Sequence, residues 1–486
     1  MSIYSSLYAG VSGLTALGNS MSVIGDNIAN VNTTGFKGSR ATFQDILNTT
    51  VTTGNGTTQV GQGTVLSDVS SAFSQAGFET TDSITDIAID GEGFFVLSAE
   101  NSDQQFFSRA GAFTVNEKYK LVNSAGLVVQ GYKLDDERDS ETNNVVRLGT
   151  YDDILLNETI KPPAGTEMVT LLANLNSVES TKSNGNLVAA WNAQDTVATE
   201  DAALDGKIIS ESAYSHSATV KVYDVQGNSH DITIYFDKST VANSWDFIVT
   251  TNPESDVTRY DSAATPQATD VLTGLLASGT LQFTNEGQIS AITPGEVPFT
   301  INAETGYPEF NATFLTDPTD GDVTSNISLN LGYKTSDGGT TWTSDALTTT
   351  QYASTSVNMF QAANGYARGE LQDMRIDETG VINGIYSNGK TIPLYQICLA
   401  RFNNNQGLEK LGGNIFRDSV NSGPPAINPP QTNGLGKLIS SSLEQSTVDI
   451  AVEFVKMITT QRGYQANSKT ILTTDQMIQT VVQLKR

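Results

Sequence analysis

The sequence predicts a mainly β protein with α-helical termini. In it, nested barrel- or sandwich-like β domains are inserted between N- and C-terminal helices that pair as a coiled coil on assembly. Three observations predict this class. Apolar residues recur at helical spacing near the two ends, short alternating runs with turn residues fill the middle, and the formal charge divides at the same places. The length of 486 residues suggests about three structural units, at roughly 150 residues each.

The first element is an N-terminal helix. Its apolar residues follow alternating steps of four and three, a seam typical of a coiled coil that is broken only at Gly10. Glycines at 10, 13, 18 and 25 each cost about 1 kcal/mol relative to alanine, so the helix is weak on its own. We expect it to end near Gly35. The candidate self-assembly residues on this seam are Ile3, Leu7, Leu14, Leu17, Met21, Ile24, Ile28 and Val31.

The last element is a C-terminal helix with the same stepping. One line of residues is apolar at strict intervals of seven, and its companion line turns polar at Gln461, Ser468 and Asp475, which we expect to bias register. A second apolar set at Val448, Val452, Val455 and Ile458 predicts burial on several faces. The candidate assembly residues here are Ile450, Phe454, Met457, Gln461, Tyr464, Ser468, Ile471, Asp475, Ile478 and Val482.

Two arrangements of the terminal helices are open. They could form an ordinary antiparallel pair within one chain, or they could become ordered only when packed against other subunits. We favour the second, because glycine-weakened helices more than 400 residues apart must overcome a loop-closure entropy to meet.

The middle of the chain is predicted as β structure. Alternating runs such as 217–224 and 231–237 flank a Gly-Asn turn, as a hairpin requires. The expected organisation is a terminal helical coiled-coil domain, a linker region, an inner β domain and an outer inserted β domain with a further subdomain left open. Their ranges are 1–32 with 441–486, 33–75 with 426–440, 76–165 with 358–425, and 166–357.

The formal charge of −26 lies almost entirely in this middle part. Residues 1–50 are neutral and residues 440–486 carry +1, so the body between them carries −27. A polyanion is repelled by nucleic acid and by anionic lipid, so we expect no nucleic-acid partner. We also expect no membrane insertion and no cleaved signal peptide, because the chain has no long apolar segment and no basic start.

The sequence predicts no catalytic, cofactor-binding or metal-binding residues. His216 and His230 are the only histidines and lack the neighbours of a zinc site or a catalytic triad. Asp317, Asp320 and Asp322 are interpreted as a solvated acidic loop, with adventitious Ca²⁺ as the weaker alternative. The single cysteine, Cys398, is predicted to be a buried small hydrophobe.

Several motifs resemble the rod and hook family of bacterial flagellar axial proteins. The run GDNIANVNTTGFK (25–37) resembles the family's N-terminal signature, and residues 443–471 resemble its C-terminal signature. TDIAIDGEGFF (85–95) and RAGAF (109–113) resemble its first β domain. Rod members are generally much shorter. The long inserted region with VYDVQGNSHDITIYF, together with the run at 364–390, therefore favours the hook side of the family.

The resemblance implies a structural subunit without catalysis. Copies of it would polymerise into a curved, flexible tubular joint that passes torque from the motor's rod to the filament. It implies export through the flagellar type III apparatus to the cell exterior. The implied partners are the chain itself and the rod, hook cap, hook–filament junction and hook-length-control proteins.

Three alternatives remain at this point. A rod-type subunit would build a straight shaft, and a secreted acidic β-rich adhesin would bind its ligand as a monomer. A secreted enzyme acting on polysaccharide would require a carboxylate pair in a cleft.

Overall fold

The structure is a computed structural model. It describes residues 3–46, 49–53, 56–100, 102, 104–138, 145–183, 186–192, 209–252, 255, 274–317, 321–345 and 347–484.

Helices lie near the two ends of the chain, and strands occupy most of the rest. The three α-helices are α1 (Ile3–Ala29), α2 (Leu187–Asn192) and α3 (Ile450–Leu484). The first twelve strands are β1 (Ser39–Asp45), β2 (Thr49–Thr53), β3 (Gly56–Val60), β4 (Thr64–Ser71), β5 (Phe78–Thr80), β6 (Ile87–Asp90), β7 (Phe94–Ser98), β8 (Gln105–Ser108), β9 (Phe113–Val115), β10 (Leu121–Asn123), β11 (Val128–Arg138) and β12 (Val145–Asp153). The next thirteen are β13 (Ile160–Lys161), β14 (Met168–Asn174), β15 (His216–Tyr223), β16 (Ser229–Lys238), β17 (Ser244–Thr251), β18 (Leu275–Phe283), β19 (Ile289–Pro294), β20 (Thr300–Ile301), β21 (Pro308–Asp317), β22 (Gly321–Asn330), β23 (Tyr333–Lys334), β24 (Thr343–Ser344) and β25 (Val357–Ala363). The last nine are β26 (Gly369–Ile376), β27 (Val381–Tyr386), β28 (Thr391–Ile397), β29 (Leu399–Arg401), β30 (Glu409–Gly412), β31 (Ile415–Arg417), β32 (Ala426–Asn428), β33 (Lys437–Ser440) and β34 (Ser442–Glu444).

The chain divides into two compact units. The terminal unit comprises 1–159, 371–386 and 391–486, and the inserted unit comprises 160–370 and 387–390. The predicted fold class is confirmed, since the two long helices are terminal and strands dominate the body, where α2 is a short helix of six residues. The predicted domain ranges remain a prediction. Within the range assigned to the terminal helices, β34 pairs antiparallel with β5, and α3 begins only at Ile450.

The terminal unit is built on an antiparallel sheet whose strand order runs β26-β27-β28-β11-β7-β8-β31-β30. Its core is aromatic, with Phe107 edge-on to Phe402 at 4.7 Å between ring centroids. Cys398 is buried in this core, as predicted. Burial raises the pKa of its thiol, so it remains protonated at neutral pH.

The core of the inserted unit lies between two five-stranded sheets. Their orders are β20-β21-β22-β14-β25 and β15-β16-β17-β18-β19, and among the described strands of these two sheets only β14 and β22 pair in parallel. The predicted hairpin across the Gly-Asn turn is confirmed, with Val222 opposite His230 and Tyr223 opposite Ser229. Side chains from both sheets, including Phe236, Phe247 and Phe310, fill the space between them, so this unit is a β-sandwich.

None of the helices among the described residues is both long enough and apolar enough to cross a lipid bilayer.

Candidate assembly surface on the terminal helices

The two terminal helices pack antiparallel within one chain. Ser6 Oγ lies 3.5 Å from Thr474 Oγ1 near one end of the pair. Further along, a Cβ added to Gly10 would lie 2.9 Å from Ile471 Cγ1. The helices therefore approach closely at the glycine that interrupts the apolar seam in the sequence. The intrachain pair, which we ranked second from the sequence, is the arrangement present here.

Small residues set this close approach along α1 and α3. An added Cβ on Gly13 would lie 2.7 Å from Asn467 Nδ2, and one on Gly463 would lie 3.3 Å from Leu17 Cδ1. Gly18 and Gly25 have open space around them instead. Sequence reasoning counted all four glycines of α1 as destabilising and missed that two of them form the contact. The four-residue spacing of Gly463, Asn467 and Ile471 on α3 was the available signal.

The buried line of α3 lies one position away from the predicted companion line. Its members are spaced by seven and are mostly polar: Glu453, Thr460 and Thr474 are buried, and Asn467 is partly buried. The predicted companion residues Phe454, Gln461 and Asp475 are exposed in the single chain, and Ser468 is partly buried. Phe454, Gln461 and Asp475 therefore lie away from the contact with α1. Their predicted role in contacts between subunits stays a prediction.

The remaining predicted assembly residues differ in exposure. On α1, Ile24 is buried, and partial burial is shared by Leu7, Leu14, Leu17, Met21, Ile28 and, just beyond the helix, Val31. On α3, Ile450 and Tyr464 are exposed, whereas Met457, Ile471 and Ile478 are partly buried. Ile3 and Val482 belong to the helices, but their side chains lie outside the described part of the structure.

The outward face of α3 carries a long exposed apolar surface. Eight large apolar side chains are between 45% and 61% exposed, namely Ile450, Val452, Phe454, Val455, Ile458, Tyr464, Leu472 and Met477. On α1, Tyr8 and Val11 are also exposed. The helix α3 therefore has a polar line on the side that contacts α1 and apolar side chains on its exposed surface. Exposed large apolar side chains of this kind make the helix a candidate surface for contacts with another protein.

A buried cluster of charged residues holds both terminal segments against the β body. Lys37 Nζ donates to Glu444 Oε1 at 2.7 Å, and Arg109 Nη1 lies 3.4 Å from Glu444 Oε2. Arg109 also donates to the Gly91 carbonyl at 2.6 Å. Burial lowers the pKa values of Lys37 and Arg109, while the Glu444 carboxylate opposes both shifts. The sequence motifs contained all three residues, but sequence reasoning did not bring them together.

The β1–β4 ribbon fixes α1 from a second side. Asn27 Nδ2 donates to the Ser39 carbonyl, and Ser39 N donates to Asn27 Oδ1, both at 2.8 Å. In the first half of α1, Thr64 N donates to Ser12 Oγ at 3.2 Å. The ribbon therefore holds α1 near its C-terminal end and again in its first half.

The described residues contain no group of three or more His, Cys, Asp or Glu side chains arranged to hold a metal ion. Of the acidic loop, Asp320 lies outside the described residues, as do the side chains of Asp317 and Asp322. His230 stacks on Phe314 at 4.2 Å between ring centroids and lies 3.3 Å from Asp224, and His216 contacts Asn358. These contacts place both histidines in the packing of the β-sandwich.

Four sequence models of flagellar domains match the chain in order. They are described as flagella basal body rod protein (7–37), flagellar hook protein FlgE/F/G D1 domain (88–174), flagellar basal body protein FlaE D2 domain (190–366), and flagellar basal body rod FlgEFG protein C-terminal (439–484). With terminal helices around inserted β units, these matches define the class as a flagellar axial protein of the rod and hook type.

Relatives that match over nearly the whole chain identify the particular family within this class. The chain is 32% identical to the flagellar hook protein FlgE of Treponema pallidum, with 99% of each chain covered. It is also 32% identical to that of Borreliella burgdorferi, again over 99% of each, and 31% identical to that of Salmonella typhimurium, over 98% of each. The chain belongs to the flagellar hook protein family and is a structural subunit of the hook. The rod-type alternative is not favoured.

Proposed function

We propose that copies of this chain polymerise through the outward faces of α1 and α3 into the tubular hook. The resulting tube would be a curved, flexible joint that passes torque from rod to filament, and the subunit would carry out no catalysis. The single observation that carries the assembly surface is the exposed apolar face of α3, which is unusual for a monomer in solution.

The energetics favour contacts between subunits on this face. Fully burying a large apolar side chain stabilises by about 1.5–3 kcal/mol, so covering side chains that are half exposed contributes about 1 kcal/mol each. The eight residues of the α3 face together would contribute about 8 kcal/mol, which is comparable to the cost of association in lost translational and rotational freedom. The mostly polar intrachain line through Thr460 and Thr474 contributes less, so contacts between subunits would dominate the stability of the helical layer.

We modify the sequence-based hypothesis that the terminal helices become ordered only on assembly. The helices pair within the chain through small and polar residues, and the apolar surface remains available to neighbouring copies. We infer that assembly strengthens the pair and does not create it. Gln461 and Asp475, which are exposed in the single chain, would then bias register between subunits.

The acidic body suits the outside of a bending tube. Polar, like-charged surfaces form weak and wet contacts, and these can exchange as subunits slide. The rod, hook cap, junction and length-control proteins are proposed as further partners from the family. We also propose export through the flagellar type III apparatus and a place outside the cell.

A pair of variants tests the assembly surface. Val455→Ser with Ile458→Ser in the full chain should abolish tube formation, because both side chains point away from the intrachain seam. Thermal unfolding of the monomer should not change. The matched control is Gln465→Ser, at an exposed polar position on the same helix. Normal tubes from the double variant would refute the assigned surface. The shape of the tubes formed by the unsubstituted chain is a separate test, since straight tubes in electron micrographs would favour a rod-type role.

A further inference from the structure

One segment of the inserted unit is uncharged although the unit is strongly acidic. The unit contains 25 Asp and Glu against 9 Lys and Arg, a formal charge of −16. Between Asp345 and Arg368 there are 22 consecutive residues without a charged side chain, the longest such interval in the unit. Acidic copies repel one another, so two copies can approach with least penalty where neither carries charge.

Exposed apolar side chains concentrate in this interval. Nine large apolar residues of the inserted unit are exposed among those described, and five belong to the interval. They are Leu347 at 67%, Tyr352 at 50%, Val357 at 52%, Met359 at 54% and Phe360 at 50% exposure. We call residues 352–361 the uncharged strip.

The strip ends on a strand at the edge of its sheet. β25 pairs with β14, and within the described residues no strand pairs with its other side. Val357 lies opposite Asn174 and Phe360 opposite Leu172, so Val357 and Phe360 share one face of the sheet. Met359 lies at a bulge between them. The edge carries no lysine, proline or charged side chain, so the bulge at Met359 is the one protective feature within β25.

Buried hydrogen bonds hold the strip in place. The buried Asn174 donates from Nδ2 to Ser354 Oγ at 2.9 Å and accepts from Tyr352 N at 3.0 Å. An added Cβ on Gly287 would lie 3.0 Å from Tyr352 Cε1, so the tyrosine ring rests against that turn. A surface that is ordered before binding loses little entropy when a partner covers it.

We propose that the uncharged strip is a contact surface for the inserted unit of a neighbouring copy in the assembled hook. This inference rests on the proposed polymerisation. A second copy fits better than a basic protein, because a basic partner would select the acidic surface and not its uncharged interval. The few half-exposed side chains, separated by serine and threonine, form a contact small enough to exchange when the tube bends.

Site-directed photo-crosslinking in assembled tubes tests this contact. Met359→Cys in the full chain is labelled with benzophenone maleimide, assembled and irradiated. Cys398 is buried and does not compete for the label. The matched control is Val241→Cys, which is 63% exposed on the same unit but outside the strip. We expect position 359 to give several-fold more subunit-to-subunit crosslinks than position 241, with the captured peptide from residues 160–370.

The outcomes separate this inference from the proposed function. Loss of tubes after labelling at 359 but not at 241 also supports the contact. Normal tubes with equal crosslinking at both positions overturn it, as does capture of another protein or of the terminal unit. If the unlabelled chain itself forms no tubes, the proposed polymerisation is wrong, and the contact that rests on it is wrong as well.

A charge variant gives an independent measurement. Phe360→Asp adds a negative charge to the strip and removes an apolar contact, so self-association should weaken about tenfold. Val241→Asp adds the same charge elsewhere and should leave self-association unchanged. Sedimentation of polymerising subunits measures both, and equal effects of the two variants would overturn the proposal.

Discussion

Lys37 and Glu444 form a buried ion pair across 407 positions of sequence. Nζ lies 2.7 Å from Oε1, and the two side chains are 1% and 0% exposed. Arg109 shares the same carboxylate at 3.4 Å, so one anion balances two cations inside the terminal unit. The carboxylate also accepts from Ala76 N at 3.0 Å. Glu444 thus ties the segment after α1 and the segment before α3 to the sheet.

Glu444→Gln should destabilise the terminal unit by about 3 kcal/mol, because it leaves two buried cations without their anion. The three tryptophans, Trp191, Trp245 and Trp342, all belong to the inserted unit. Tryptophan fluorescence during urea unfolding should therefore not change, while hydrogen exchange in β6 and β7 should accelerate.

The control for this variant is Glu409→Gln. Its partner Arg417 lies at 2.7 Å, but both side chains are well exposed, so the change should have little effect on stability. Equal exchange rates in Glu444→Gln and Glu409→Gln would show that the buried cluster does not stabilise the unit.

Gly10→Ala and Gly18→Ala should act in opposite directions. Alanine gains about 1 kcal/mol of helix propensity at either position. At Gly18 nothing lies within 4 Å of the new Cβ, so that variant should stabilise α1. At Gly10 the new Cβ meets Ile471 Cγ1 at 2.9 Å, and overpacking costs about 1–3 kcal/mol. Amide exchange of α1 in the monomer measures both. Equal protection in the two variants would argue against the close seam.

Thr460→Lys and Gln461→Lys test the phase of α3. Thr460 is buried on the intrachain line, so a lysine there should loosen the α1–α3 pair by about 2 kcal/mol. Gln461 is exposed, and its substitution should leave the monomer unchanged. Limited proteolysis near the two termini distinguishes them. Cleavage that increases only for Gln461→Lys would show that the line through Gln461, and not the line through Thr460, contacts α1.

Asp337 gives the inserted unit a defined acid sensitivity. Its carboxylate accepts from Thr341 Oγ1 at 2.7 Å and from Thr341 N at 2.9 Å. These bonds, followed by one from Thr335, lower the pKa of Asp337 from 3.8 to about 2. The folded pKa lies below the unfolded one, so its contribution to stability is present above about pH 4 and is lost as the pH falls towards 2.

Carboxyl NMR titration should locate this transition, and Thr341→Val should raise the pKa of Asp337 by removing the hydroxyl donor. Asp337→Asn should be less stable than the parent at neutral pH, with the difference vanishing near pH 2. An unshifted titration of Asp337 in the parent chain would contradict the assignment.

The fold class could be read from the sequence because it depends on local patterns. Alternation and a Gly-Asn turn were enough to predict the β15–β16 hairpin, and heptad spacing predicted both terminal helices. The line of α3 that contacts α1 could not be read in this way. That line is polar, with Thr460 and Thr474 buried, so the apolar pattern that predicts the helix does not mark it. The cluster of Lys37, Arg109 and Glu444 was also missed, since it depends on strand pairing across hundreds of residues.

The inserted unit leaves and re-enters the terminal unit at neighbouring points. Leu371 N donates to the Thr159 carbonyl at 2.8 Å, so the two ends of the intervening chain are already held together by the terminal unit itself. A short turn could join these two residues, and because the entropy of loop closure grows slowly with length, a long insertion costs little more than a short one. The insertion is therefore modular, since its length can change without altering the terminal unit that carries α1 and α3.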